Sequence, residues 1–213
     1  MRLAFATDGV MRRVAWAILS LTAWDSSADR AAAAAGDRAL AIALANDATQ
    51  KAAVASIVAS GKRKIPLLLA WTLRPPRGVP ECGLFGGLAD AFGELRVREA
   101  IPFLVKHLGT LRSCGVSLAP WLKVPEVVEW SLPAVGALIE IGPDGSMAAM
   151  SAFPGMVSEE DRMAAIFVVS RVKGVPGARH FLSSVAEKAD REHYWASQGI
   201  LRLDSSGPGA SGK

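Results

Sequence analysis

The amino-acid sequence predicts an all-α fold, and three observations lead to that prediction. The composition is rich in Ala and Leu but holds a single Tyr and few runs of β-branched residues, so the local preference is for helix. Apolar residues recur at the three- and four-residue spacing of a helix face. Glycine residues separate successive apolar segments. The chain has 213 residues, 51% of them hydrophobic, which is enough to bury one sizeable core or a row of small ones.

The same design recurs in four segments of the chain. Each segment has an apolar helix, a break marked by glycine, and a second apolar helix. The breaks fall at Gly61, Gly93, Gly142 and Gly174. The first and last intervals between breaks are equal, and we attribute the longer middle interval to an insertion over residues 109–125. Since one helix pair cannot bury its apolar face alone, stacking is expected, and the sequence predicts an α-solenoid of about four antiparallel helix pairs.

Periodicity and capping residues support this division into helices. Two helices carry apolar residues at the spacing i, i+3, i+4 and i+7, namely Ile101, Leu104, Val105 and Leu108 in one and Ala178, Phe181, Leu182 and Val185 in the other. Ser158, with Asp161 three residues later, predicts a helix N-terminus. Pro66 and Pro102 are expected in the first turn of the second helices, where a missing amide hydrogen costs little.

Two units of the chain resemble a known family. The stretches KRKIPLLLAWTL and ELRVREAIPFLVKHL, preceded by VASIVAS and LADAFGEL, look like HEAT repeats of the short bacterial, phycobilisome-lyase-like class. The resemblance covers roughly residues 39–203, and the third unit departs from it because GPDG is followed by the weakly apolar MAAMSAF. It implies a protein-protein interaction scaffold with no intrinsic catalysis and no cofactor, since the family pattern is an apolar skeleton.

The N-terminal segment has two interpretations. Residues 11–23, MRRVAWAILSLTA, place two arginines before an apolar run and a small residue, as a secretory signal requires. Asp8 and Leu21 are atypical of a signal, and an apolar first helix packed on the core has a similar pattern. Residues 1–24 are thus a signal peptide or a first helix, 25–38 a spacer, 39–203 the repeat domain and 204–213 a disordered tail. The pattern favours the periplasm or secretion over the cytoplasm.

The apolar runs and the cysteines limit other classes of protein. No run of apolar residues is long enough to span a bilayer, so no integral membrane span is expected. Cys82 and Cys114 form a disulfide if the chain is exported, and are otherwise free thiols. The two cysteines and three histidines do not have the spacing of a zinc site, so no metal is predicted.

Candidate binding residues lie on second helices and beside the insertion. In the resembled class the second helix of each pair faces the concave surface, and a Trp beside the insertion is a potential anchor for a protein partner. The residues are Lys106, His107, Trp121, Trp130, Arg179 and His180. The alternative is that the charged residues are ordinary surface groups and that the tryptophans cover the core.

Two other classes of function stay open as alternatives, a lyase-like enzyme on a HEAT-like frame and a nucleic-acid-binding repeat protein. No catalytic motif supports the enzyme, and GLFGGLAD from Gly83 lacks the preceding strand and the Lys of a phosphate loop. We interpret that stretch as a helix start with small residues for close packing. The net charge of +4 is spread along the chain, and the basic residues 62–64, Arg96 and Arg98 have no interleaved aromatics, so nucleic acid is not the expected partner.

Overall fold

The computed structural model describes residues 33–112, 128, 131–188 and 192–205. The chain divides into two compact units, residues 1–41 and 42–213. In the first unit the described residues 33–41 are helical. Several sequence predictions concern positions outside the described residues, namely the signal segment 11–23, Cys114, Trp121, Trp130 and residues 206–213.

Every described element of the second unit is helical, which confirms the all-α prediction. Residues 42–45 are helical, nine α-helices follow, and the described residues contain no strand. The helices are α1 (Asp47–Ser60), α2 (Ile65–Leu73), α3 (Glu81–Glu94), α4 (Ile101–Lys106), α5 (Pro133–Ile141), α6 (Pro143–Ala152), α7 (Glu159–Arg171), α8 (Ala178–Lys188) and α9 (His193–Ser205). In the part of the chain that the structure describes, none of the helices has the length and apolar character needed to cross a membrane.

Several helix starts lie where the sequence predicts them. The Ser158 hydroxyl accepts a hydrogen bond from the Asp161 amide at 3.0 Å and so caps α7. Asn46 caps α1 in the same way, accepting from the Ala48 amide at 3.0 Å. Pro66 and Pro102 lie in the first turns of α2 and α4, as expected from the missing amide hydrogen of proline.

Three of the four predicted glycine breaks are confirmed by backbone conformation. The glycine at each of these breaks has a positive φ, a conformation that favours glycine: Gly61 (61°), Gly142 (90°) and Gly174 (71°).

The break predicted at Gly93 is wrong, because Gly93 lies buried inside α3 and the chain turns after it. The turn holds Arg96, a non-glycine residue with a φ of 51°. A Cβ added at Gly93 would lie 2.9 Å from the Cα of Ala137 in α5. This glycine therefore permits the close approach of two helices and does not end one.

Helices of odd number pack directly against one another in chain order. The neighbours are α1 with α3, α3 with α5, α5 with α7, and α7 with α9. Among the helices of even number, α4 contacts α6, α6 also packs on α7, and α8 packs on α7 and α9. The odd-numbered helices hold large buried side chains of the core, including Ile57, Leu84, Leu88, Phe92, Leu138 and Ile166. Burial of each such side chain contributes about 1.5–3 kcal/mol.

Two more glycines of α3 face the helical residues that precede α1. A Cβ at Gly83 would lie 2.2 Å from the carbonyl oxygen of Ala45, and one at Gly87 would lie 2.5 Å from that of Leu44. The two positions are four residues apart and therefore share one face of α3. The interpretation of GLFGGLAD as a closely packed helix start is confirmed.

We predict that Gly87→Ala lowers the free energy of unfolding by about 2 kcal/mol, because its methyl group would overlap the backbone of Leu44. Gly86→Ala is the matched control, since the atoms nearest to its Cβ would be side-chain atoms of Gln50 and Arg112, at 3.3 Å and beyond. There the gain in helix propensity, about 1 kcal/mol, offsets the crowding. Urea unfolding of both variants measures the difference, and equal stabilities would contradict the close approach.

Candidate functional site

An aromatic cavity of about 440 Å³ lies between α2, the first half of α3 and the turn after α4. Its aromatic walls come from Trp71 of α2, Phe85 of α3, Phe103 of α4 and His107. Polar and sulfur-containing side chains at its boundary are those of Thr72, Glu81, Cys82 and Thr110. We call this the aromatic cavity.

Three of its aromatic rings contact one another and so hold one another in place. Phe103 and His107 are four residues apart, and their ring centroids lie 4.9 Å apart. Phe85 meets His107 at 5.4 Å and Phe103 at 5.7 Å, the latter edge to face. Edge-to-face and tilted contacts of this kind are favourable for aromatic rings, so this wall of the cavity is preorganised.

His107 is the titratable aromatic group of this wall. Burial lowers the pKa of His107 below its ordinary value of 6.5, the Lys106 ammonium lowers it further, and the Asp161 carboxylate raises it in part. The Thr110 hydroxyl lies 3.5 Å from Nδ1 of the imidazole. The ring is therefore uncharged at neutral pH.

We predict that Lys106→Gln raises the pKa of His107 and Asp161→Asn lowers it, because each variant removes one of the two charges acting on the ring. Titration of the His107 ring protons by NMR measures both shifts. Shifts of the opposite sign would show that other groups dominate the titration of His107.

The lowered pKa of His107 also makes the stability of the fold depend on pH. Since the folded pKa lies below the unfolded value, His107 favours folding above pH 6.5, and this contribution is lost as the pH falls through the folded pKa.

The turn that carries His107 is fixed to a distant helix. The amide of Gly109 donates a hydrogen bond to the Asp161 carboxylate at 2.7 Å. Asp161 lies in the first turn of α7, where its own amide is held by Ser158. This bond links the turn after α4 to the start of α7.

A buried polar cluster fixes the next residues of the chain. Arg112 donates to both carboxylate oxygens of Asp90, at 2.6 and 2.7 Å, and to the Gln50 side-chain oxygen at 2.7 Å. Gln50 in turn donates to the carbonyl oxygens of Leu44 at 2.9 Å and Gly83 at 3.3 Å. The Arg112 side chain is only 11% exposed. The cluster is a structural clamp, since these side chains are used in holding α1, α3 and the chain after α4 together.

The backbone of Arg112 makes a further link. Its amide donates to the Ser131 carbonyl at 2.9 Å, so residues 112 and 131 are adjacent in space.

The sequence does not predict the cluster of Gln50, Asp90 and Arg112, because nothing local marks a pairing between residues so far apart in the chain.

We predict that Asp90→Asn lowers the free energy of unfolding by about 2 kcal/mol, because it removes the charge from a bidentate, partly buried hydrogen-bonded pair. Glu94→Gln is the control, as it neutralises an exposed carboxylate at the end of the same helix. Thermal or urea unfolding compares the two variants. Equal changes would mean that the clamp contributes no more than a surface charge.

A second cavity, of about 600 Å³, lies between α6 and α8. Phe153 and Phe181 meet edge to face in its wall, with ring centroids 5.0 Å apart. Its other lining residues include His180 and Lys188 of α8. We call this the α6–α8 cavity.

The predicted binding residues occupy different environments. His107 lines the aromatic cavity and His180 lines the α6–α8 cavity. Lys106 is exposed at the end of α4. Arg179 forms a bidentate ion pair with Asp204 of α9. Its two terminal nitrogens donate to the two carboxylate oxygens, and one of these bonds measures 3.1 Å.

Cys82 forms part of the wall of the aromatic cavity. Its predicted partner, Cys114, lies outside the described residues, as do Trp121 and Trp130, so the disulfide and the two tryptophan anchors stay predictions. Within the described ranges, no three His, Cys, Asp or Glu side chains are grouped closely enough to hold a metal ion.

The chain matches no protein-family model, no curated protein and no solved structure. The resemblance to HEAT repeats therefore rests on the residues of this sequence alone. Any assignment of function depends on the geometry of the two cavities and of the helices that form them.

Proposed function

We propose that this protein is a protein-binding scaffold built as a HEAT-like α-solenoid, with the helix pairs α1–α2, α3–α4, α5–α6 and α7–α8 followed by a closing helix α9. The sequence of contacts between helices supports this arrangement, because each odd-numbered helix contacts the next odd-numbered helix along the chain. In a solenoid of helix pairs, each repeat contacts only its neighbours, and the first helices of successive pairs form one layer.

The binding proposal rests on which helices line the two cavities. The odd-numbered helices pack directly on one another, whereas α2 and α4, together with the first half of α3, line the aromatic cavity and α6 and α8 line the second cavity. In the HEAT-like class, the second helix of each pair faces the concave surface. The even-numbered helices therefore form the binding side of the proposed scaffold.

The chemistry of the cavity walls suits a protein partner. Both cavities combine phenylalanine rings with several polar or charged side chains at the boundary. Pockets of this kind accept the large anchoring side chains that supply most of the energy of a protein interface. Two such pockets on one side of a helical array give a broad surface, which is how a scaffold obtains affinity.

Site-specific photo-crosslinking tests the proposal. A benzophenone amino acid replaces Phe103 in the aromatic cavity or Phe153 in the α6–α8 cavity, and the full-length protein is irradiated in its native host. The control places the same group at Ala55, an exposed position on α1, on the odd-numbered side. We expect adducts of discrete protein mass from the first two positions and not from the third.

Other outcomes contradict the proposal in distinguishable ways. Adducts that are digested by nucleases would favour a nucleic-acid binder. Adducts of low mass at Phe103 alone would favour an enzyme or a small-molecule receptor. Equal protein adducts from Ala55 would show that contact is not confined to the even-numbered side.

A further inference from the structure

Glu81 gives the aromatic cavity a negative charge at its boundary. It lies in the first turn of α3, its side chain is exposed, and the described residues that line the cavity include no Lys or Arg. Among the described residues, none forms an ion pair with it. The carboxylate is therefore accessible to a positive charge brought by a ligand.

The remaining walls also favour a positive charge. The faces of Trp, Phe and Tyr rings carry partial negative charge, and a Lys or Arg cation close to a ring face is attracted to it. Trp71, Phe85 and Phe103 come from three different helices and surround one space. His107 adds a fourth ring. Among the described residues, the lining thus combines four aromatic rings with one carboxylate at the edge, which is the composition of a cation-binding cage.

We propose that the aromatic cavity binds a lysine or arginine side chain of the partner protein, with the Glu81 carboxylate close to the charge and the rings around the aliphatic stem. This inference rests on the proposed function, because it names the residue of the partner that one cavity accepts. The volume of about 440 Å³ is ample for one such side chain together with part of its backbone.

The alternatives are less favourable for physical reasons. An acidic side chain would approach both Glu81 and the negative ring faces, and like charges repel. A purely apolar side chain would remove water from the Glu81 carboxylate without replacing its hydrogen bonds. His107 does not compete with a bound cation at neutral pH, because burial lowers its pKa and leaves the ring uncharged.

The test uses two short peptides and the full-length protein. The probes are acetyl-Gly-Ser-Lys-Ser-Gly-amide and the same peptide with norleucine, which keeps the stem of lysine and lacks the ammonium group. Binding is followed by NMR through the indole N–H of Trp71 and the ring protons of His107, at pH 7.5 and constant ionic strength. We expect the lysine peptide to bind at least about fivefold more tightly than the norleucine peptide.

Three variants separate charge from shape. Glu81→Gln should abolish the preference for lysine, mainly by weakening the binding of the lysine peptide, whereas Glu81→Asp should keep part of the preference. Phe103→Leu should weaken the lysine peptide about threefold more than the norleucine peptide, since it removes a ring and keeps an apolar wall. Glu94→Gln, at the other end of α3, is the control and should change neither affinity.

Three results would overturn the inference. These are equal or tighter binding of the norleucine peptide, an unchanged preference in Glu81→Gln, and no response of Trp71 or His107 to either peptide. None of them decides the proposed function, because protein adducts from Phe103 and Phe153 are measured independently of any peptide. The cation cage and the scaffold therefore succeed or fail on separate evidence.

Discussion

The close approach of α3 to its neighbours is the constraint on which the described structure depends. On one side, Gly83 and Gly87 lie against the backbone of residues 44 and 45, and on another Gly93 lies against α5. Side chains at these positions would force the helices apart, because the distances to be filled are shorter than van der Waals contact. Phe85 and Glu81 lie on the same helix, so the geometry of the aromatic cavity depends on how closely α3 packs against residues 44 and 45 and against α5.

Local signals in the sequence were sufficient to predict the helices and many of their ends. The Ser158 cap, the prolines in first turns and the positive φ at Gly142 all follow from preferences of single residues. Gly93 was misinterpreted because a glycine that permits close helix packing and a glycine that ends a helix look the same in sequence. Only the neighbouring residue, Ala137, distinguishes them, and it lies on another helix.

The candidate site was predictable only in part, for a related reason. The sequence predicts His107 as a binding residue on the concave face of a second helix, but its environment is created by Phe85, which belongs to the preceding helix. Glu81 and Trp71 carry no local signal of a shared cavity, since they lie on different helices joined by a loop. Periodicity predicts which face of a helix is buried, whereas a cavity depends on how well two faces fit, and that depends on all their side chains together.

The hydrogen bond between the Arg112 amide and the Ser131 carbonyl has a consequence for how such a chain can change over time. Because this bond joins residues 112 and 131, the two ends of the segment between them are held close together. The entropy lost on closing a loop grows only slowly with its length, by about 0.6 kcal/mol for each doubling. A change in the length of the segment therefore costs little loop-closure entropy as long as the junction and the buried Val128 are kept, and this position is where the protein could acquire or exchange a recognition element without rebuilding its core.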